Sequence, residues 1–396
     1  MTSSVNPPLH GVKVLDFTSI LAGPYCTRML ADAGAEIIKV EPPEGDHKRT
    51  VPPVRAGYST PFAQANAGKR SVVLNLKTPE GRAAATALAA KCNVVVENWR
   101  PGVAKRLGLD YDTLVSVNPS IIHCAISGYG QEGPNALRPA LAPILHAMSG
   151  YEMAQMAYQE GADRPAATGI FLGDVVSGLS AFGAISSALY RQQQTGEGAS
   201  IDVAMFDVML NLLVYEYHQA MFQPVHRRIF PPLKARDGFV VVAPVSAKNF
   251  ENTARAMGHP EWITDPRFST PAARVANWKE LMTLIEEWTV ERDAAECERI
   301  LVAGEVPASR YYTVKENLQD PYLYERGTLA RVMDGAGELT IPAAPFQFGD
   351  RSVYPHPYVP GLGADTGDVL REYLGYSDGQ VALLEEQMRK GGGNHG

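Results

Sequence analysis

Between Val12 and Ile126 the chain alternates short apolar runs with helical stretches, and that alternation leaves few folds open. Val12 to Phe17 is apolar; after an Ala22, Gly23, Pro24 turn comes YCTRMLADAG, a helical pattern stopped by Gly34, and Glu36 to Val40 returns as a strand. A second cycle has Ser71 to Leu74 as strand, Thr78 as N-cap, Pro79 at the first helical position, an Ala-rich helix to Lys91, and strand Asn93 to Val96. Ile121 to Ile126 adds a further strand. Strand–helix–strand units in series specify an α/β fold: a parallel sheet covered by helices on both faces, a Rossmann-like layer.

With 396 residues the chain is too long for one ordinary domain and suggests two. From about Leu172 long helices take over, GDVVSGLSAFGAISSALYRQQQ and, past a short strand at Ile201 to Val203, MFDVMLNLLVYEYHQAMF. The small residues of the first helix suggest close packing against another backbone. After Pro224 basic and proline residues cluster in HRRIFPPLKARDG, and FVVVAPV leads into short amphipathic helices up to about Arg326. The expected division is a large Rossmann-like domain at 1–200 completed by 350–396, a helical linker at 201–224, a smaller α+β domain at 225–328 and a return linker at 329–349. Two helices are expected after Gly363, before a disordered GGGNHG end.

Charged residues are 20% of the chain and the formal net charge is -7, so neither nucleic acid nor an anionic membrane is an expected partner. Cys26, Cys92, Cys124 and Cys297 lack any C-x-x-C spacing and read as reduced structural thiols of a cytoplasmic protein. The start MTSSVNPPLHG shows no apolar h-region, so a secretory signal is not expected. The longest apolar run, around Met209 to Tyr215, is far short of the roughly 20 residues that span a bilayer. The nine histidines never form H-x-H or H-E-x-x-H, which gives a metal site no support.

Within SGYGQEGP the pattern G-x-G-x-x-G follows a strand, as in a dinucleotide-binding turn. The third glycine of such a turn serves packing of an immediately following helix, and Pro134, Pro139 and Pro143 make that helix improbable here. The motif is read as a glycine-rich strand-to-loop turn.

FTSILAGPYCTRMLADAGAEIIKVE, GKRSVVLNLKTPEGR, VVVENWRPGVAKRLGLDY, SGYGQEGP and LGDVVSG, in this order along nearly the whole chain, together resemble the class III (CaiB/BaiF-type, formyl-CoA transferase-like) coenzyme A transferases. That superfamily also holds the α-methylacyl-CoA racemases. The resemblance implies transfer of CoA from an acyl-CoA to a carboxylic acid, with no metal and no cofactor beyond CoA as co-substrate. An aspartate attacks the thioester to give an aspartyl mixed anhydride, and CoA thiolate then converts it to an aspartyl-CoA thioester. The matching residue is Asp174.

Asp174 also reads as a nucleophile from its own surroundings. Gly173 and Gly178 leave room for a bulky thioester, and the helix that follows would keep the carboxylate anionic and offer free N–H groups to an oxyanion. An N-cap role is the bland alternative. The resemblance further implies Ile20 and Leu21 along the CoA channel, Leu74, Asn75 and Lys77 beside adenine and ribose, and Asn98 and Arg106 at the nucleotide or its phosphates. Gly128 and Gly130 would let backbone approach the thioester end. The family often has an arginine after the glutamate matching Glu41; here it is Pro42, so that phosphate contact is absent or falls to Lys48 or Arg49.

The racemases use a histidine and a neighbouring aspartate where this chain has Leu141 and Ala142, and neither can carry a proton. His146, about one helical turn on, could substitute, with a buried structural histidine as the other reading; α-proton exchange is therefore the runner-up. Acceptor choice rests on the second domain's Arg227, Arg228, Lys234, Arg236, Lys248, Arg310, Tyr311 and Tyr312, which suggest succinyl-CoA and a short dicarboxylic acid, including transfer between two carboxylates of one molecule. A non-catalytic CoA-binding protein is the reading from another class, and Asp174 between glycines counts against it. The resemblance implies an interlocked homodimer.

Overall fold

The apolar runs become the strands of one parallel sheet in the computed structural model, which describes residues 6–222 and 228–390. β1 (Lys13–Asp16), β2 (Glu36–Glu41), β3 (Arg70–Val73), β4 (Val94–Glu97), β5 (Ile122–Ser127) and β6 (Ala199–Ala204) lie in the order β3-β2-β1-β4-β5-β6. Leu15 pairs with Ile38 on one side and Val95 on the other, and Val96 pairs with Cys124. This is the doubly wound Rossmann order, in which winding reverses between β1 and β4.

Adjacent residues of each strand serve opposite layers. Leu15, Ile38, Val72 and Val95 face α2 (Pro79–Ala89) and the helix Thr366–Leu374. Val14, Ile37, Val94 and Val96 face α1 (Ala22–Asp32) and α5 (Leu172–Thr195). Between β5 and α5 stand α3 (Ala142–Met148) and α4 (Tyr151–Ala157). No helix directly follows the SGYGQEGP turn, as the prolines required.

α5 packs against α1, and only one stripe of it, with Gly178, Ala181, Ile185 and Ala188, is buried. By length and composition α5 could cross a membrane, with a mean hydropathy of 1.4. The sequence reading, which sought an unbroken apolar run, did not weigh this helix, whose Leu, Val, Ile, Phe and Ala are interrupted by glycines and serines.

By its internal packing the chain divides into one unit that ends at Leu213 and resumes at Pro321, and a second, Val214–Asp320. The second unit has a three-stranded antiparallel sheet of β7 (Leu233–Lys234), β8 (Phe239–Val242) and β9 (Ala308–Arg310). Its core holds Phe250, Phe268, Trp278, Leu281 and Ile285. The 329–349 stretch is not an extended linker: β10 (Leu329–Asp334) and β11 (Gly337–Pro342) form a hairpin, because apolar positions alternate on either side of an Asp334–Gly337 turn. Likewise 201–204 belongs to the sheet as part of β6. Pro224, Arg227 and the GGGNHG end lie outside the described residues. All four cysteines are buried and free.

Candidate active site

Ligands of doubly wound sheets sit beyond the carboxyl ends of the strands, where the winding reverses. Here the loops after β1, β4 and β5, together with the start of α5, enclose a cavity of about 390 Å³ at that place. Leu21, Ile126, Leu141, Phe171 and Met205 give it an apolar wall; Lys48, Arg100, Arg138 and Asp174 are its charged residues.

The β1 loop is held from below by buried charge. The Lys69 ammonium, fully buried, donates to Asp16 Oδ2 at 3.0 Å, Thr27 Oγ1 at 2.7 Å and Asn66 Oδ1 at 2.9 Å. Lys39, equally buried, donates to Thr18 O at 2.7 Å and to Asp46 Oδ2 at 2.9 Å. The other oxygen of Asp46 accepts the N–H groups of Ile20 at 3.2 Å and Lys48 at 2.9 Å. Asn98 completes the bracket, accepting from Ser19 N–H at 2.9 Å and donating to Ser19 O at 2.8 Å. Ile20 is thereby fixed at a φ of 71°, a left-handed conformation that costs a β-branched residue on the order of 1–3 kcal/mol. Next to Asn98, the Glu97 carboxylate accepts the Trp99 N–H at 2.6 Å; burial pushes the Glu97 carboxyl up to about 7, against the pull of that N–H and with a further push from Asp202.

Asp174 is the third residue of α5 and not its N-cap, which is Phe171. Burial raises its carboxyl above the usual aspartate range, while Lys48, the Ala22 N–H and its own N–H hold the rise in check. Burial thus outweighs the helix terminus that the sequence reading expected to keep it anionic. Most of the first turn of α5 is not open to an oxyanion either: Leu172 N–H donates to Ile170 O at 2.9 Å, Gly173 N–H to His146 Nε2 at 2.9 Å and Val175 N–H to Phe171 O at 3.3 Å.

His146 is the buried structural histidine that its apolar neighbours suggested. Its side chain is buried, its Nε2 is spent on Gly173, and Nδ1 faces Glu152 Oε1 at 3.9 Å. Burial depresses its basicity, with Glu152 opposing, so the ring is neutral and accepts at Nε2. It is a structural anchor for the nucleophile's turn and is absent from the cavity wall, where Leu141 and Ala142 stand instead. No group at these positions can exchange an α-proton.

The glycines beside Asp174 serve packing instead of substrate access. A Cβ on Gly173 would stand 3.3 Å from His146 Nε2, and one on Gly178 would stand 2.7 Å from Ala22 O. Gly128 lies on the cavity wall, with Ala140 close against it; Gly130 is not on the wall and faces Asp202 of β6.

Of the sequence-derived CoA positions, the structure brings Ile20, Leu21, Asn98 and Gly128 together with Asp174. Leu74, Asn75, Lys77 and Arg106 lie outside the cavity. Leu74 is fully buried in the core, Asn75 Oδ1 accepts the Lys77 N–H at 3.0 Å, and Lys77 and Arg106 are exposed. Arg49 is not available in place of an arginine at Pro42, since its guanidinium grips Glu41 at 2.6 and 2.7 Å. In the second unit most of the basic candidates already have partners: Arg236 with Asp293, Lys248 with Glu305, Arg310 with Glu316, and the Tyr312 hydroxyl with Glu298. Sequence reasoning missed Arg100 and Arg138 on the cavity wall. Among the described residues no His, Cys, Asp and Glu cluster is arranged to hold a metal ion.

Residues 9–366 match the sequence model of CoA-transferase family III. The chain belongs to that family. The family III transferase is 32% identical over 390 residues to succinyl-CoA:glutarate CoA-transferase of Homo sapiens, covering 95% of this chain and 88% of that one. It is 32% identical over 403 residues to succinyl-CoA–D-citramalate CoA-transferase of Chloroflexus aurantiacus, covering 97% and 98%. A CAIB/BAIF family protein from Brucella suis, known from its crystal structure, superposes with a TM-score of 0.80 at 33% identity, covering 93% of this chain and all of the other.

Proposed function

We propose that this transferase moves CoA from succinyl-CoA to a short dicarboxylic acid through covalent intermediates on Asp174. The observation that carries the reading is the position of Asp174 on the cavity wall at the reversal point of the sheet, backed by the Ala22 N–H and with Lys48 acting on it. A carboxylate there is partly desolvated and has a lysine charge acting on it, conditions that suit a weak nucleophile. One Asp174 oxygen bonds to the thioester carbon, the C–S bond breaks, and the thiolate departs with its electron pair. The thiolate then attacks the Asp174 carbonyl, so the released acid carries away an oxygen that began on Asp174. The acceptor carboxylate reverses both steps and leaves one of its own oxygens behind. The succinyl-CoA transferases among the relatives support the substrate class.

α5 supports an oligomer. Ser180, Gly183, Ser187 and Tyr190 of α5 are exposed, and among the segments before it Leu137, Leu141 and Ile170 are 73%, 70% and 83% exposed. An interlocked homodimer would cover such a face. The free, buried cysteines fit a cytoplasmic setting.

Succinyl-CoA incubated with a panel of carboxylic acids, with new CoA esters followed by mass spectrometry, tests the reading. Transfer to glutarate-like acids that is lost in Asp174→Ala with CoA binding retained supports it. Absence of transfer to every acid refutes it, and deuterium uptake at the α-carbon of a branched acyl-CoA would point to a racemase.

A further inference from the structure

The transition state for attack on a thioester places negative charge on the carbonyl oxygen, and something in the site must meet it. Of the first N–H groups of α5, those of Leu172, Gly173 and Val175 cannot, since they are already spent. The Ala22 N–H acts on the Asp174 carboxyl itself. The cavity wall offers one cation that is itself buried: Lys48, 8% exposed, whereas Arg100 and Arg138 are open to solvent.

Lys48 is placed by its backbone. It lies in the one-turn helix His47–Thr50, whose N-cap, Asp46, accepts the Lys48 N–H while also holding Ile20 and Lys39. Its neighbour Arg49 is tied to Glu41, but among the described residues no carboxylate lies within ion-pair distance of the Lys48 ammonium. The Lys48 stem is buried while its ammonium stands on the cavity wall without an ion-pair partner, which leaves it open to a ligand oxygen. Among charged side chains, Lys48 is the one that acts on the Asp174 carboxyl.

We infer that Lys48 is a second catalytic residue, whose ammonium donates to the carbonyl oxygen of the acyl group as Asp174 attacks it. The inference rests on the transferase reading above. In the first half-reaction the C–O bond to Asp174 forms, the acyl oxygen takes up negative charge that Lys48 stabilises while keeping its proton, and expulsion of the thiolate discharges it; in the second the thiolate adds to the acceptor's acyl carbonyl, Lys48 stabilises the same oxyanion, and expulsion of the Asp174 carboxylate discharges it. Lys48 thus serves the reacting end of the substrate instead of filling the phosphate contact left open by Pro42.

The groups that could influence Asp174 from the elements around α5 are Tyr25 and the Arg28–Asp32 ion pair on α1, His146 on α3, Asp207 on the helix Met205–Asn211, and Arg100 and Arg138 on the cavity wall. Arg28 and Asp32 are bound to each other at 2.7 Å, and His146 is committed to Gly173.

The test compares Lys48→Met and Lys48→Arg with the wild type, with circular dichroism to confirm folding. In Lys48→Met kcat falls about 100- to 1,000-fold, to a similar extent with butyrate and with glutarate as acceptor. The acid limb of its pH–rate profile moves to higher pH, because Asp174 loses the charge that held its carboxyl down, while Lys48→Arg keeps the limb in place and recovers part of kcat. A loss confined to dicarboxylates would make Lys48 a specificity residue and overturn the inference. A loss that appears only as weaker binding of acyl-CoA, and disappears with 3′-dephospho-CoA esters, would make it a phosphate contact and overturn it equally. Wild-type transfer with Lys48→Met fully active would sink this inference alone; no transfer by the wild type would sink the reading beneath it.

Discussion

Replacing Gly178 with alanine tests whether the α1–α5 contact sets the nucleophile. The added Cβ would stand 2.7 Å from Ala22 O, 3.1 Å from Tyr25 Cδ1 and 3.2 Å from Cys26 N. Two of these three atoms are backbone, so relief requires α1 and α5 to separate. Alanine gains about 1 kcal/mol over glycine in a helix interior, while overpacking costs about 1–3 kcal/mol, which leaves Gly178→Ala destabilised by about 1 kcal/mol. Gly183 on the same helix has nothing within 4 Å of its would-be Cβ, and Gly183→Ala takes the propensity gain alone. The two variants should differ by about 1–3 kcal/mol, or several degrees in Tm at about 2–4 °C per kcal/mol. The residue displaced is also the one whose N–H backs Asp174, so kcat in Gly178→Ala should drop about tenfold while Gly183→Ala keeps the wild-type rate. Thermal unfolding by circular dichroism and steady-state transfer rates measure both. Equal melting temperatures, or an unchanged kcat in Gly178→Ala, would refute the reasoning.

His146→Leu leaves the buried Gly173 N–H without a partner and should cost about 1–3 kcal/mol, with part restored in His146→Gln, as chemical denaturation will show. Since burial holds His146 below its ordinary 6.5 and only the neutral ring accepts, the unfolded chain takes up the proton first; the anchor's contribution is lost as pH falls below 6.5, and His146→Gln should lose that slope. Glu97 has the opposite sign: its folded carboxyl is raised from 4.5 to about 7, so stability falls by up to about 3 kcal/mol as pH rises from 4.5 to 7, and Glu97→Gln should flatten pH-dependent melts across that window. Asn98→Ala removes both bonds to Ser19 and releases the left-handed turn at Ile20; KM for acyl-CoA should rise about tenfold in initial-rate assays with little change in stability.

The sheet was legible because its information is local: β-branched runs, Thr78 and Pro79 opening α2, and Gly34 closing the first helical pattern are each read within a few residues. The start of the helix that carries Asp174 was legible for the same reason. What escaped was set by distance along the chain. His146 reaches Gly173 across 27 residues and Asn98 reaches Ser19 across 79, and no spacing rule connects such pairs. The buried ion network was marked by a lysine between the apolar residues of the EIIKVE strand, a signal that says a partner exists without saying which. Gly178 was read as space for substrate because sequence shows that a Cβ is missing but not what lies opposite; the structure puts α1 there.

The covalent role of Asp174 is tested most directly by oxygen exchange. After many turnovers with succinyl-CoA and glutarate labelled with ¹⁸O in its carboxylates, the peptide containing Asp174 is isolated and weighed, with fragmentation to locate the label. Transfer through Asp174 places ¹⁸O in the Asp174 carboxylate, one oxygen per turnover and up to two after many, left there as each acceptor acid departs as its CoA ester. Turnover with an unlabelled Asp174, or label on a different residue, would contradict it.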